Sequence, residues 1–336
     1  MSRPLIWAMV VGLLVALLIL ACLLSLSVGP AGISLPRAIR LWRAGAGGTY
    51  ESIILDIRLP RVLLGFAVGG GLSLAGVILQ GLFRNPLVEP YTLGVSGGAV
   101  LGVSVGGILG LSRLAGPYVL PLAGFAGALA AIFFLRALSA KKGILSVQAL
   151  LLVGIMVNFI CSSLVLLIMS FSRLEDIHSI LFWMMGSLGE TDWLLVKVAV
   201  IATIAALVLS YFFCFDLNAL SIGEEEALHL GIHVERTKRM LFVLTSLVTG
   251  LCVSLAGVIG FVGLVVPHLL RLLVGPDHRI LLVSSFLAGA VFLILSDTIA
   301  RMVVLPLELP VGVVTGIVGG VLFIYALSKK THAGGL

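Results

Sequence analysis

Arg61 and Arg84 bracket VLLGFAVGGGLSLAGVILQGL, residues 62–82, and the reading of this stretch decides the fold. It runs for 21 residues without a charge, and its only polar side chains are Ser73 and Gln80. A bilayer core of ~30 Å is crossed by about 20 apolar residues in a helix, so this segment reads as a membrane span. The pattern recurs along the chain. Apolar runs lie at about 6–28, 62–82, 91–111, 117–136, 148–170, 193–215, 240–258, 259–275, 280–300 and 311–328. The seventh to ninth follow one another almost without interruption.

Composition agrees. Of 336 residues, 60% are apolar and 11% charged, with a mean hydropathy of +1.24. A soluble domain carries about 25% charge, so a water-facing surface cannot be built from this chain. Disorder, a nucleic-acid-binding domain and a secreted disulfide scaffold are excluded, and no nucleic-acid partner is expected. Cys22, Cys161, Cys214 and Cys252 lie far apart inside apolar runs and read as small core residues. The run from Leu5 to Leu26 exceeds the roughly 7–15 apolar residues of a signal peptide, so it reads as a first span. The expectation is an all-α polytopic membrane protein of about ten helices, one transmembrane domain over 1–336. An extracytoplasmic loop lies at 29–61 and a cytoplasmic segment at 216–239.

With both termini inside, the inner segments hold 12 Arg and Lys and the outer segments 8. That is the bias that orients membrane proteins. Five of the outer arginines crowd into 29–61, against the insertion rule, so something else is expected to hold that loop outside.

Gly94, Gly98, Gly102, Gly106 and Gly110 recur every fourth residue, as do Gly312, Gly316 and Gly320. Such ridges let helices pack backbone to backbone, in a static bundle or in one that rocks. Ser73-Leu74-Ala75-Gly76-Val77-Ile78 returns as Ser254-Leu255-Ala256-Gly257-Val258-Ile259, and Pro86 returns as Pro267 at the same offset of 181. A shift of five spans reverses direction, so this echo is either an inverted repeat of the transporter kind or an accident of an apolar alphabet.

Few motifs carry chemistry. No G-x-x-x-x-G-K-[ST] exists and Gly-Lys never occurs, so ATP is not expected to bind here by a phosphate loop. Gly94-Val95-Ser96-Gly97-Gly98 fits G-x-S-x-G, and with His268 could make a Ser–His dyad; the same glycines also belong to the ridge. His229 and His233, with Glu225 one turn earlier, could form a metal face or a solvated surface; no metal is expected. Asn158 and Ser162 share a face within an apolar run, where polar groups are costly. They line a water path or bond a neighbouring helix. Asp297 and Arg301, at i and i+4, read as an ion pair that could still present Arg301 outward. The acidic stretch Gly223-Glu224-Glu225-Glu226-Ala227-Leu228-His229-Leu230-Gly231 is either a surface for a soluble partner or a solvated loop.

Arg58-Leu59-Pro60-Arg61, the stretch 72–81, Arg84-Asn85-Pro86-Leu87 with Pro90, Leu93-Gly94-Val95-Ser96-Gly97-Gly98-Ala99 and Trp183-Met184-Met185-Gly186 resemble the FecCD family. So do Gly260-Phe261-Val262-Gly263-Leu264-Val265-Val266-Pro267-His268 and Glu308-Leu309-Pro310-Val311-Gly312. These are permeases of bacterial ABC importers for iron–siderophores, haem and cobalamin, and the resemblance covers nearly the whole chain. It implies ten helices in the cytoplasmic (inner) membrane, a second permease subunit (a homodimer), and the fifth and tenth spans along a central pathway. It further implies two cytoplasmic ABC ATPase subunits, which hold the ATP and magnesium, and an extracytoplasmic binding protein. No cofactor belongs to this chain. By resemblance Arg58, Arg61 and Arg301 dock the binding protein. The coupling segment is Gly223, Glu224, Glu225, Ala227, Leu230 and Gly231, and the cytoplasmic gate is Ser146, Val147 and Gln148. Val147 and Gln148 are bulkier than the family's small hydroxyl residues. The expected cargo is an iron–siderophore, with cobalamin or haem as the alternative. The reading from another class is an intramembrane serine protease using Ser96.

Overall fold

The computed structural model describes residues 3–29, 51–111, 116, 118–140, 147–190 and 192–333, and no strand occurs among them. The helices are α1 (Arg3–Ser27), α2 (Leu59–Leu82), α3 (Val95–Ile108), α4 (Val119–Ala140), α5 (Val147–Ser170) and α6 (Leu174–Met184). They continue with α7 (Trp193–Tyr211), α8 (Cys214–Ile222), α9 (Glu224–His229), α10 (Val234–Ala256), α11 (Val262–Val274), α12 (His278–Met302) and α13 (Val311–Ala333). A π-helical turn, Ile53–Arg58, leads into α2, and a 3₁₀ turn, Pro90–Leu93, leads into α3.

Every apolar run lies on a helix. Among the described residues, six helices are long and apolar enough to cross a membrane: Pro4–Ser27, Ile53–Leu82, Ala149–Ser170, Trp193–Tyr211, Val234–Ala256 and His278–Met302. Val95–Ile108, Val119–Leu135, Val262–Val274 and Val311–Ala326 are apolar but shorter. Several boundaries differ from the sequence reading. The run at 193–215 divides into α7 and α8, and α10 starts at Val234, since its first charged turns project beyond the apolar core. Segment 171–192 holds the amphipathic helix α6, whose 11 residues are too few to cross a bilayer.

The centre of the bundle is α2. It packs against α7, α10, α11 and α12 and is buried almost throughout. Glycine makes this possible. A Cβ on Gly69 would strike the Gly289 carbonyl oxygen, and one on Gly289 the Gly69 carbonyl oxygen, so α2 and α12 meet backbone to backbone. Gly98 and Gly102 do the same on α3, against Gly127 and Ala123 of α4. The predicted ridge is therefore real between Gly98 and Gly106. Gly94 instead faces Val157 of α5, and Gly110 meets nothing within 4 Å. In the second ridge Gly312 packs on the Met185 and Val258 carbonyls, whereas Gly316 meets nothing within 4 Å.

The periphery is apolar. Phe159 on α5, Ile201 on α7 and Ile324 on α13 are each at least 65% exposed, which suits lipid or another subunit rather than water.

Two four-helix units are related by their neighbours. Exchanging α2, α3, α4 and α5 for α10, α11, α12 and α13 turns the packed pair α2–α12 into α10–α4. The same exchange turns α3–α4 into α11–α12, α3–α5 into α11–α13, and α3–α10 into α11–α2. The two units share this pattern of neighbours, but the echo at offset 181 does not mark equivalent places in it. Its first copy lies in mid-α2, and its second spans the end of α10 and the turn that follows.

Candidate functional site

Three zones gather the functional side chains, one at each end of the bundle and one between them.

At one end of the bundle, α1, α2 and α12 converge on Asp297. Arg61 Nε lies 2.9 and 3.1 Å from the two Asp297 oxygens, and Arg61 Nη1 donates to Glu308 Oε2 at 2.7 Å. Arg301 Nε donates to Asp297 Oδ2 at 3.0 Å, and its Nη2 to Ser25 Oγ at 2.7 Å. Arg58 Nη1 donates to the Leu26 carbonyl at 2.6 Å, satisfying an orphan acceptor of the last turn of α1. The sequence reading groups these three arginines and points them outward. Here Arg58, Arg61 and Arg301 are 3%, 8% and 3% exposed, because Arg61 and Arg301 turn inward to share Asp297 and Arg58 turns inward to the Leu26 carbonyl. Glu308 is the half-exposed member, with 42% of its side chain open to solvent.

Between the ends, two broken segments meet. After α2 the chain turns back along it, so that Pro90 packs on Gly263, which in turn lies against Leu72 and Gly76 of mid-α2. At ~1.5 Å per residue, α3 and α11 span ~21 and ~20 Å, short of a ~30 Å core. Each begins after a left-handed residue, Gly94 (φ +85°) and Phe261 (φ +69°). Non-helical backbone at this depth must be satisfied internally. Tyr91 Oη donates to the Ile259 carbonyl at 3.0 Å and accepts its N–H at 3.1 Å. Glu89 Oε1 accepts the Phe261 N–H at 2.7 Å, capping α11 from another segment. Asn158 of α5 donates to the Tyr91 carbonyl at 2.8 Å and accepts the Gly97 N–H at 3.0 Å. Sequence reasoning missed Glu89 and Tyr91. Their signal was an acid and a phenol beside Pro90, between two apolar runs.

This geometry resolves several candidates. Asn158 is an interhelical clamp. Ser162 faces outward from α5. Ser96 starts α3 directly after the 3₁₀ turn, without a preceding strand, so no nucleophile elbow forms. Its Oγ lies 3.5 Å from Asn158 Oδ1, an amide oxygen that cannot serve as a base. Ser146 lies outside the described residues. Val147 and Gln148 open α5.

At the opposite end, α8 and α9 meet at Gly223, whose extended backbone (φ 177°, ψ 158°) breaks the helix into an L. Glu224 pairs with Lys238 at 2.5 Å, and Thr237 Oγ1 donates to Asp216 Oδ2 at 3.0 Å, so both helices are tied to α10. Ala227 is fully buried in the chain's own core and does not present the contact surface the sequence assigned to it. Exposed apolar residues flank it instead: Ile222 at 71%, Leu228 at 59% and Leu230 at 68%, beside exposed Glu225. His229 ends α9 and His233 precedes α10, so the two do not share a helix face.

The model of the FecCD transport family matches residues 17–329. This chain belongs to the FecCD transport family. As a FecCD permease of the ABC-importer kind it is 38% identical over 324 residues to the hemin transport system permease protein of Yersinia pestis, covering 96% of each chain. It is 39% identical over 326 residues to the vitamin B12 import system permease protein of Salmonella typhi, covering 97% of this chain and 96% of the relative. Among solved structures, an inward-facing metal-chelate type ABC transporter superposes with a TM-score of 0.86 at 30% identity. That match covers 96% of this FecCD permease and 99% of the solved chain.

Proposed function

We propose that this FecCD permease carries a metal chelate across the bacterial inner membrane, as one of two identical subunits driven by a pair of ABC ATPases and fed by an extracytoplasmic binding protein. The observation that carries the reading is the full-length family match together with the bundle interrupted at mid-depth. Broken helices meeting there are the usual place for a transport site. Ten crossing helices with both ends inside fit the charge bias. The open faces of α5 and α13 (Phe159, Gly316 and Ile324) suit a pathway between two copies.

The cargo reading is a ferric siderophore. Haem and cobalamin, which the relatives' names carry, are the competing members of the same chelate class. The test is a proteoliposome holding the permease, its ATPase and its binding protein, supplied in turn with ferric siderophore, haem and cobalamin. One of the three should accumulate with ATP, and the permease alone should hydrolyse none. Accumulation of none, or hydrolysis by the isolated chain at the assembled rate, rejects the proposal.

The inner L is the ATPase contact, and its exposed leucines are the groups a soluble partner would cover. Leu230→Glu should leave the permease folded and the ATPase unable to co-purify. Ala227→Arg should instead lower the yield of the permease itself, because it buries a charge. Co-purification of ATPase with Leu230→Glu at wild-type stoichiometry would count against this surface.

At the outer end, docking needs a carboxylate from the binding protein to reach Arg61, and Glu308 stands over it. We infer that the incoming carboxylate takes the place of Glu308. A partly exposed ion pair is worth up to about 1 kcal/mol, so Glu308→Gln should tighten docking by a few-fold and steepen its salt dependence. Titration of labelled binding protein onto nanodiscs reads this directly, and weaker docking would reverse the assignment.

A further inference from the structure

Asn218 sits on α8, just before the bend at Gly223, and makes three side-chain hydrogen bonds to the start of α12. Its Nδ2 donates to Asp277 Oδ1 at 3.0 Å. Its Oδ1 accepts the His278 N–H at 2.8 Å and lies 2.8 Å from His278 Nδ1. An oxygen that accepts a backbone N–H fixes the orientation of the amide, so Nδ1 is the protonated ring nitrogen. Asp277 caps α12 by accepting the Arg279 N–H at 3.0 Å and pairs with the Arg279 guanidinium at 2.5 Å. That guanidinium lies 5.2 Å from the Trp7 ring of α1 and 5.7 Å from the Phe215 ring of α8. Arg279 holds the Asp277 carboxyl far below the usual carboxylate range, so the cap stays charged at neutral pH. Three helices are therefore fastened at one point.

From that point α12 runs for 25 residues without an internal proline, about 37 Å at helical rise. Its far end carries Asp297 and Arg301, the centre of the outer cluster. Along the way Gly289 locks it to Gly69 of α2. One rigid helix thus joins the inner L to the outer arginines. The alternative route from the L runs through α10, by way of Asp216–Thr237 and Glu224–Lys238.

We propose that Asn218 is the positioning residue that transmits movement between the ATPase contact and the docking cluster, with α12 as the rod. This rests on the importer reading above. Coupling between distant sites is a free energy shared by both, so it acts in both directions. Cutting the Asn218 link should weaken both effects of one site on the other and leave each site itself intact.

The experiment uses the assembled permease–ATPase complex in nanodiscs, with its binding protein. For Asn218→Ala, basal ATP hydrolysis and nucleotide-free docking affinity should stay at wild-type values. Stimulation of hydrolysis by the binding protein should fall about fivefold or more, and the change in docking affinity on adding nucleotide should shrink with it. Asn218→Ser keeps a hydroxyl beside His278 and loses the donation to Asp277, so it should fall between wild type and alanine; it carries the test if alanine fails to assemble. Thr237→Val, which cuts one of the two links of the α10 route, should retain stimulation. A role confined to stability would lower the melting temperature and the basal rate together and leave the stimulation ratio unchanged. Normal stimulation in Asn218→Ala, or loss of it in Thr237→Val alone, overturns the proposal. A wild-type complex that the binding protein does not stimulate would fell the importer reading first, and this inference with it.

Discussion

Asp297→Leu is expected to cost about 3–5 kcal/mol, the range for breaking a buried ion pair from one side. Asp297 is the buried acid that both Arg61 and Arg301 share, at 2.9 and 3.0 Å. Removing it leaves two guanidiniums between α1, α2 and α12, with Glu308 at the rim and the hydroxyls of Ser25 and Thr298 to receive them. The measurement is a melting curve of detergent-solubilised permease, monitored by size exclusion. A loss this large should remove most of the monodisperse protein at temperatures where wild type survives. The companion variant removes the charges together. Arg61→Met with Asp297→Leu and Arg301→Met should recover most of the stability, since apolar replacement of a whole buried network is often neutral or better. That recovered protein should still dock its binding protein poorly, because the charges an incoming carboxylate needs are gone. If Asp297→Leu melts with wild type, the cluster is not the brace described here.

Gly69→Val is the second large effect. A Cβ at Gly69 falls onto the Gly289 carbonyl oxygen and within 2.8 Å of Leu293 Cβ. No side-chain rotation relieves a clash with backbone, so α2 and α12 must separate. Overpacking a tight core costs about 1–3 kcal/mol and sometimes more, and here the displaced helix also carries Asp297 and the Asn218 link. Stability and binding-protein-stimulated hydrolysis should therefore fall together. Gly289→Val should reproduce the defect from the other side. Gly316→Ala is the control, since nothing lies within 4 Å of that position; it should melt with wild type. Equal tolerance of valine at Gly69 and alanine at Gly316 would mean that α2 and α12 do not touch as described.

Much was legible in the sequence because a bilayer imposes a simple rule. Apolar runs of about 20 residues must be helices, and each of the runs lies on one. The grouping of Arg58, Arg61 and Arg301 was legible too, through the resemblance to the FecCD family. Their direction was not. Whether an arginine faces a partner or its own aspartate depends on where Asp297 sits, 236 residues away from Arg61. Ala227 is a similar case. Its place in an acidic stretch suggested exposure, but the L formed by α8 and α9 turns that side inward and leaves Leu228 and Leu230 outside. The role of Glu89 as a cap on α11 was hidden because the N–H it accepts belongs to Phe261, 172 residues away.

The sharpest division between sequence and tertiary structure lies in six letters used twice. Composition and periodicity alone determine that Ser73–Ile78 and Ser254–Ile259 belong in the membrane. They cannot determine more, because the two hexapeptides are identical. The first continues as helix, with Gly76 pressed against the backbone of Gly263. The second leaves the helix at Gly257, where φ is +70° and the backbone packs on the Trp183 carbonyl and Gly186. Local propensity is equal in the two copies, so neighbours decide. The amides freed by the second break find Tyr91 and Glu89 as partners, and without partners that backbone would be too costly to leave unpaired at this depth.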